Sequence, residues 1–167
     1  LLAMARADPE PAANAYSLVN ISALATDVVS ELTPRALERG VDIEFRGERP
    51  VHMRASAELI QVLLGNLISN AIRATPRGGL ISVGLEQCPE GPCLTIEDSG
   101  PGIPDEEKTA VFRRFHRLQA TPGPGSGLGL SIVQAVAKAH GAKVALEDRV
   151  PGPGLRVAVH FPALEKA

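Results

Sequence analysis

Glycine and proline clusters cut this chain into short segments, and that division limits its fold more than any other feature. The chain has 16 Gly and 14 Pro, most of them gathered between runs with helix or strand periodicity. Ser22 to Arg39 reads as a helix stopped by Gly40, with Pro34 inside it. Val41 to Phe45 alternates as a half-buried strand does, and Val51 to Arg54 is a plausible antiparallel partner. Ser56 suits the cap of a helix reaching about Arg73, which Pro76-Arg77-Gly78-Gly79 ends. Leu80 to Cys88 and Cys93 to Glu97 read as a hairpin. A short helix is expected over Glu106 to Leu118, and a longer one over Leu128 to His140, stopped by Gly141. Lys143 to Glu147 and Leu155 to Phe161 read as final strands joined by Pro151-Gly152-Pro153-Gly154. Mixed strands with three longer helices predict an α/β (α+β) two-layer sandwich, with a mostly antiparallel sheet of about five strands on three helices.

The chain's 167 residues suffice for one domain with a real core. Aromatic residues are only 3% and Trp is absent, so Leu, Ile, Val and Ala must fill that core. The net charge of -2 offers no basic field to nucleic acid or to an acidic membrane. No apolar run approaches the roughly 20 residues needed to span a bilayer. Cys88 and Cys93 flank the expected turn and could face each other across the hairpin, or simply be small apolar strand residues. Two thiols alone do not make a zinc site.

The helix after Ser56 has two faces. Ile60, Leu64, Leu67, Ile68 and Ala71 form an apolar one. Asn66, Asn70 and Arg73 lie within a narrow arc opposite, at about 100° per residue. Asn is a poor helix former, so two on one face need a return. Its carbonyl oxygen suits a hard cation such as magnesium, and Arg73 suits a phosphate. A solvated polar face is the alternative.

Two glycine segments follow. Asp98-Ser99-Gly100-Pro101-Gly102-Ile103-Pro104 succeeds an apolar strand. Its glycines permit a tight turn and close approach of a flat ligand, and a carboxylate beside Ile96 and Ile103 can accept from an adenine amino group. An ordinary Asp turn is the alternative. Gly123-Pro124-Gly125-Ser126-Gly127-Leu128-Gly129-Leu130 runs into a helix, which makes an anion cradle of free N–H groups. It is neither a Walker A loop nor a dinucleotide fingerprint. Between them, Val111-Phe112-Arg113-Arg114-Phe115-His116-Arg117 carries two Phe one turn apart. They either anchor a cover over a nucleotide, with Arg residues facing its phosphates, or pack into the core beneath solvated Arg.

In this order the segments resemble the sensor histidine kinases. Asn66 to Arg73 is similar to their N box, Asp98 to Pro104 to their first glycine box, Phe112 to Phe115 to their F box, and Gly125 to Val133 to their second glycine box. The resemblance covers roughly residues 16–163 and implies the Bergerat-type sandwich shared with gyrase, MutL and a heat-shock chaperone family. It implies that Asn66 and Asn70 hold Mg2+ and the phosphates of ATP, that Arg73 and Arg114 assist, and that Asp98 reads adenine. Gly100, Gly102, Ile103 and Phe115 would shape the pocket. Gly125, Ser126, Gly127, Leu128 and Gly129 would close on the phosphates, with residues 105–126 as a lid.

ATP-hydrolysing relatives carry Glu four residues before the second Asn, as a general base. Here that residue is Asn66, which favours a kinase over an ATPase. Two departures stand out: Ala74 where the family often has an aromatic residue, and Ser56 where Asp is usual. The resemblance implies phosphoryl transfer to a histidine on a separate dimerisation domain, and then to a response regulator. None of His52, His116, His140 and His160 lies in such an acceptor context. Residues 1–15 are expected to be the tail of the dimerisation helix and a linker, and residues 16–167 the catalytic domain. A monomeric, cytoplasmic piece of a homodimeric parent in the bacterial inner membrane is expected, touching neither nucleic acid nor membrane itself. The rival readings are a non-catalytic nucleotide-binding module, an ATP-hydrolysing relative and a pure interaction domain.

Overall fold

The computed structural model describes residues 16–47, 49–117 and 127–163. Its elements run β1 (Ser17–Asn20), α1 (Ile21–Glu38), β2 (Asp42–Arg46), β3 (His52–Ala55), α2 (Ala57–Ala74), β4 (Leu80–Cys88) and β5 (Gly91–Asp98). A 3-10 turn (Ala110–Phe112), α3 (Gly129–Ala139), β6 (Lys143–Asp148) and β7 (Leu155–His160) follow. Five strands form one sheet in the order β2-β4-β5-β7-β6, antiparallel except for β2 beside β4. The three α-helices form the second layer, with α2 between α1 and α3 and lying over β5. The expected two-layer sandwich is thus present.

Period-two alternation sorts the sheet. Ile81, Val83 and Leu85 of β4, Leu94 and Ile96 of β5, and Val157 and Val159 of β7 are buried in the core. The other face carries polar pairs: the Ser82 hydroxyl donates to Glu44 at 2.6 Å, and Arg156 bridges Glu97 and Glu147, its cross-strand neighbours. The helix side is closed by Ile60, Leu63, Leu64, Leu67, Ile68, Ala71 and Ile72, the apolar face read from α2. Side-chain caps set both long helix starts: Asn20 accepts from Ala23 N at 3.1 Å and Ser56 from Leu59 N at 3.4 Å.

Two expectations need correction, and one open alternative closes. β3 does not pair with β2. It pairs antiparallel with β1, a strand that was not foreseen, in the register Ser17↔Ala55 to Asn20↔His52. β2 instead runs parallel to β4, and the intervening β3 and α2 supply the long crossover that parallel pairing requires. Nor do Cys88 and Cys93 face each other: Cys88 opposes Gly91 and Cys93 opposes Glu86, because β5 begins at Gly91.

The helix expected over Glu106 to Leu118 is reduced to turns and the 3-10 turn Ala110–Phe112, with residue 118 outside the described part. The helical ladder breaks because Phe115 takes φ 63° and its N–H bonds to Gly127 O at 2.9 Å instead of a residue four back. Residues 1–15, expected as helix tail and linker, lie outside the described residues.

Candidate functional site

The same alternation that builds the core puts Asp98 where it is. It shares a face with Leu94 and Ile96, so it points into the helix layer, and it is only 4% exposed. Gly100 N donates to its Oδ1 at 2.8 Å and Leu155 N at 3.4 Å. Burial pushes the carboxyl above its usual range, against the pull of those two N–H groups and of Arg149. β5 can end this close to β7 only with glycine at 154. A Cβ there would lie 1.8 Å from Asp98 O, and its φ is 138°.

A cleft of about 270 Å³ opens from Asp98 along α2. At the Asp98 end it is lined by Gly102, Ile103, Leu155 and Val157, a largely apolar slot with one buried acceptor. Further along lie Asn66, Asn70 and Arg73, the polar face of α2. The Asn66 amide nitrogen donates to Val62 O at 2.8 Å, which leaves its Oδ1 for other partners. The Asn70 Oδ1 accepts from the Arg73 guanidinium. Arg73 loses basicity first through burial and then through the positive charge of Arg35, Arg117 and Arg39.

α3 enters directly above the two asparagines. A Cβ on Gly129 would lie 3.0 Å from Asn70 Nδ2 and 3.3 Å from Asn66 Oδ1. Glycine therefore lets the helix start, with its N–H groups and positive dipole end, sit against both amides. The residues after the 3-10 turn close this end. Gly127 O accepts from Phe115 N, and His116 Nε2 lies 2.7 Å from Glu107 Oε2. His116, Arg117 and Gly127 line the cleft.

Of the residues singled out from sequence, the fold brings Asn66, Asn70, Arg73, Asp98, Gly102, Ile103, Gly127 and Gly129 to one cleft. Gly100 serves it indirectly, through the N–H it gives Asp98. Leu128 holds the N-cap position of α3 without lining the cleft. Arg114 and Phe115 are not brought in: both are exposed, Phe115 at 72%. Gly125 and Ser126 lie outside the described residues. Sequence reasoning missed Arg35, Leu155 and Gly154. Leu155 both lines the slot and gives Asp98 its backbone N–H, neither of which sets it apart from other apolar strand residues, and Arg35 stands outside every glycine or asparagine segment.

Among the described residues no three His, Cys, Asp or Glu form a group that could hold a metal. The donor set beneath Gly129 is two neutral amides. That suits a hard cation arriving with phosphate oxygens better than a resident, tightly held metal.

Residues 55–165 match the family model of the histidine kinase-, DNA gyrase B- and HSP90-like ATPases. The chain belongs to this family. Within it, the likeness is to histidine kinases. The sensor protein kinase PmrB of Pseudomonas aeruginosa is 36% identical over 163 residues, covering 97% of this chain and 34% of that protein. The signal transduction histidine-protein kinase/phosphatase MprB of Mycobacterium avium is 38% identical over 143 residues, 82% of this chain and 27% of that protein. The solved catalytic domain of histidine kinase ThkA superposes with a TM-score of 0.79 at 28% identity, covering 88% of this chain and 95% of that one. The chain is thus an ATP-binding domain of the histidine-kinase type, spanning about a third of the length of the curated relatives or less. Among the described residues no helix is long and apolar enough to cross a membrane.

Proposed function

We propose that this histidine-kinase domain binds Mg-ATP and donates the γ-phosphoryl to a histidine of a dimerisation domain, from which a response regulator is charged. The observation that carries the reading is the seating of Gly129 over Asn66 and Asn70, with the buried Asp98 acceptor at the far end of the same cleft. Adenine enters the apolar slot, where Asp98 accepts from its amino group and Ile103, Leu155 and Val157 flank it. The triphosphate lies along α2. Asn66 and Asn70 contribute amide oxygens to Mg2+, while Arg73, Arg117 and the N–H groups at the start of α3 meet phosphate oxygens. Mg2+ supplies charge neutralisation of those oxygens when bound.

Asn66 stands where hydrolysing relatives have their base, and an amide takes no proton. Among the described residues Asp98 is the only carboxylate lining the cleft, and it sits at the adenine end. His116 is held by Glu107. The triphosphate is therefore spared for an imidazole nitrogen brought from outside, and the domain's contribution is positioning and electrostatics. The parent is a homodimer in the bacterial inner membrane, with this domain on the cytoplasmic side as a monomeric unit.

The test is transfer in trans. The chain, Mg2+ and γ-labelled ATP are incubated with a sensor-kinase dimerisation domain. Acid-labile, alkali-stable label on the acceptor is expected. ATP binding without label would support a non-catalytic nucleotide-binding module, and phosphate release without acceptor would support hydrolysis.

A further inference from the structure

The wall of the cleft beside Arg73 has more positive charge than the resemblance to the family's four boxes accounts for. Arg35 of α1, Arg73 of α2 and Arg117 beyond the 3-10 turn all line it, from three separate elements. We propose that Arg35 is a positioning residue for the phosphate chain of the bound nucleotide, the third member of a guanidinium wall with Arg73 and Arg117. The proposal rests on the ATP-binding reading of the cleft.

The packing of α1 on α2 sets the position. Arg39 Nε donates to Ile72 O at 3.2 Å and its Nη2 to Arg73 O at 3.4 Å, which pins the end of α1 to the end of α2. Arg35 lies four residues earlier on the same stripe of α1, one turn back along the cleft rim. There its charge is felt by Arg73, ahead of that of Arg117. Ala74 also lines this cleft.

Among the described residues no carboxylate pairs with Arg35 or Arg73. The like charges of Arg35 and Arg73, from separate helices, repel, so their approach is unfavourable until an anion lies between them. A planar guanidinium with several donors suits adjacent phosphate oxygens. A polyphosphate also offers enough length to reach the rim from the floor at Asn66 and Asn70. Arg35 stands at the mouth and is itself exposed, so its contribution is to the flexible phosphate end and not to the buried base.

The test is calorimetric titration of the chain, Arg35→Ala and Arg35→Lys with Mg-ATP, ADP, AMP and adenosine. Arg46→Ala, changed on the outer face of the sheet beside Glu44, controls for net charge. Arg35→Ala is expected to weaken ATP about tenfold. The loss should shrink along ADP and AMP and vanish for adenosine. Lysine should restore part of it, and Arg46→Ala should leave affinity within about twofold. The melting temperature of the unliganded Arg35→Ala protein should stay within a few degrees, since the relief of repulsion with Arg73 offsets the small loss of a cation from the last turn of α1. Unchanged ATP affinity in Arg35→Ala, or an equal loss for adenosine, overturns the assignment. Failure of the unaltered chain to bind ATP overturns the reading of the cleft itself, and the Arg35 role with it.

Discussion

Asp98→Asn should separate what the fold needs from what the ligand needs. The substitution keeps shape and removes charge. An amide oxygen can still accept from Gly100 N and Leu155 N, so the turn that holds residue 98 survives. The second carboxylate oxygen becomes an NH2, a donor facing the amino group of adenine. The lost bond to a charged acceptor is worth about 1.5–3 kcal/mol, or roughly 10- to 150-fold in Kd. Stability should move the other way. Burial raises the carboxyl above its usual range in the folded chain. Between the unfolded and folded values the folded state holds the extra proton, so this group's contribution to stability falls as pH rises through that window. Above it the buried charge opposes folding, and asparagine carries none. The melting temperature of Asp98→Asn should match that of the parent chain near pH 4, about the usual Asp value, and equal or exceed it at neutral pH. Thermal melts across pH and calorimetry with Mg-ATP read the two effects. A mutant that melts lower at neutral pH by the same amount as at pH 4 would refute the desolvation argument. Undiminished ATP affinity would refute the adenine role.

Gly129→Ala adds a methyl group where 3.0–3.3 Å separates it from both asparagine amides. The amides must swing away, so ATP affinity should drop about tenfold while stability holds within about 1 kcal/mol, checked by titration and melting. Gly154→Ala drives a Cβ into Asp98 O from a φ of 138°. It should lose about 2 kcal/mol or more of stability in chemical denaturation and weaken ATP as well. His140→Ala acts far from the cleft. The ring accepts from Ser56 N at 3.2 Å, bonds Val136 O at 2.8 Å, and packs on Tyr16 and Phe161. Its loss should cost roughly 2–4 kcal/mol and leave ATP affinity within about twofold.

The parts of the site legible in the sequence are those where one period carries both fold and chemistry. Asn66, Asn70 and Arg73 are spaced four and three residues apart, so the helix that buries Ile60 and Leu64 must bring them together. Asp98 ends a strand whose even positions are apolar, so its burial follows from Leu94 and Ile96. What was not legible depends on contacts between distant segments. β1 has only four residues, and its pairing with β3 is decided by how α1 packs, as the bond from Ile21 N to Val51 O shows. The segment from Glu106 has helix-forming composition, yet the bond between Phe115 and Gly127 overrides it. Gly154 reads as one more loop glycine until Asp98 is placed against it, and Arg35 reads as a solvated helix residue until Arg39 fixes the angle of α1 on α2.

The two unfavourable features of the cleft lie at opposite ends of it, and one ligand relieves both. The carboxylate of Asp98 is stripped of water by burial, and Arg35 crowds its like charge on Arg73. A nucleoside polyphosphate brings an amino donor to the first and phosphates to the second, joined by a sugar that spans the slot between them. Neither fragment relieves both ends: adenosine leaves the arginines facing one another, and triphosphate leaves the Asp98 carboxylate without the amino donor. The two ends therefore act through one rigid body, and stabilisation by the whole nucleotide should exceed the sum obtained from adenosine and triphosphate added together. At a hundredfold excess over Kd, binding contributes about 2.7 kcal/mol, which for a domain of this size raises the melting temperature by roughly 5–10 °C. Equal shifts from ATP and from the mixed fragments would mean that the two ends of the cleft are not read by one molecule.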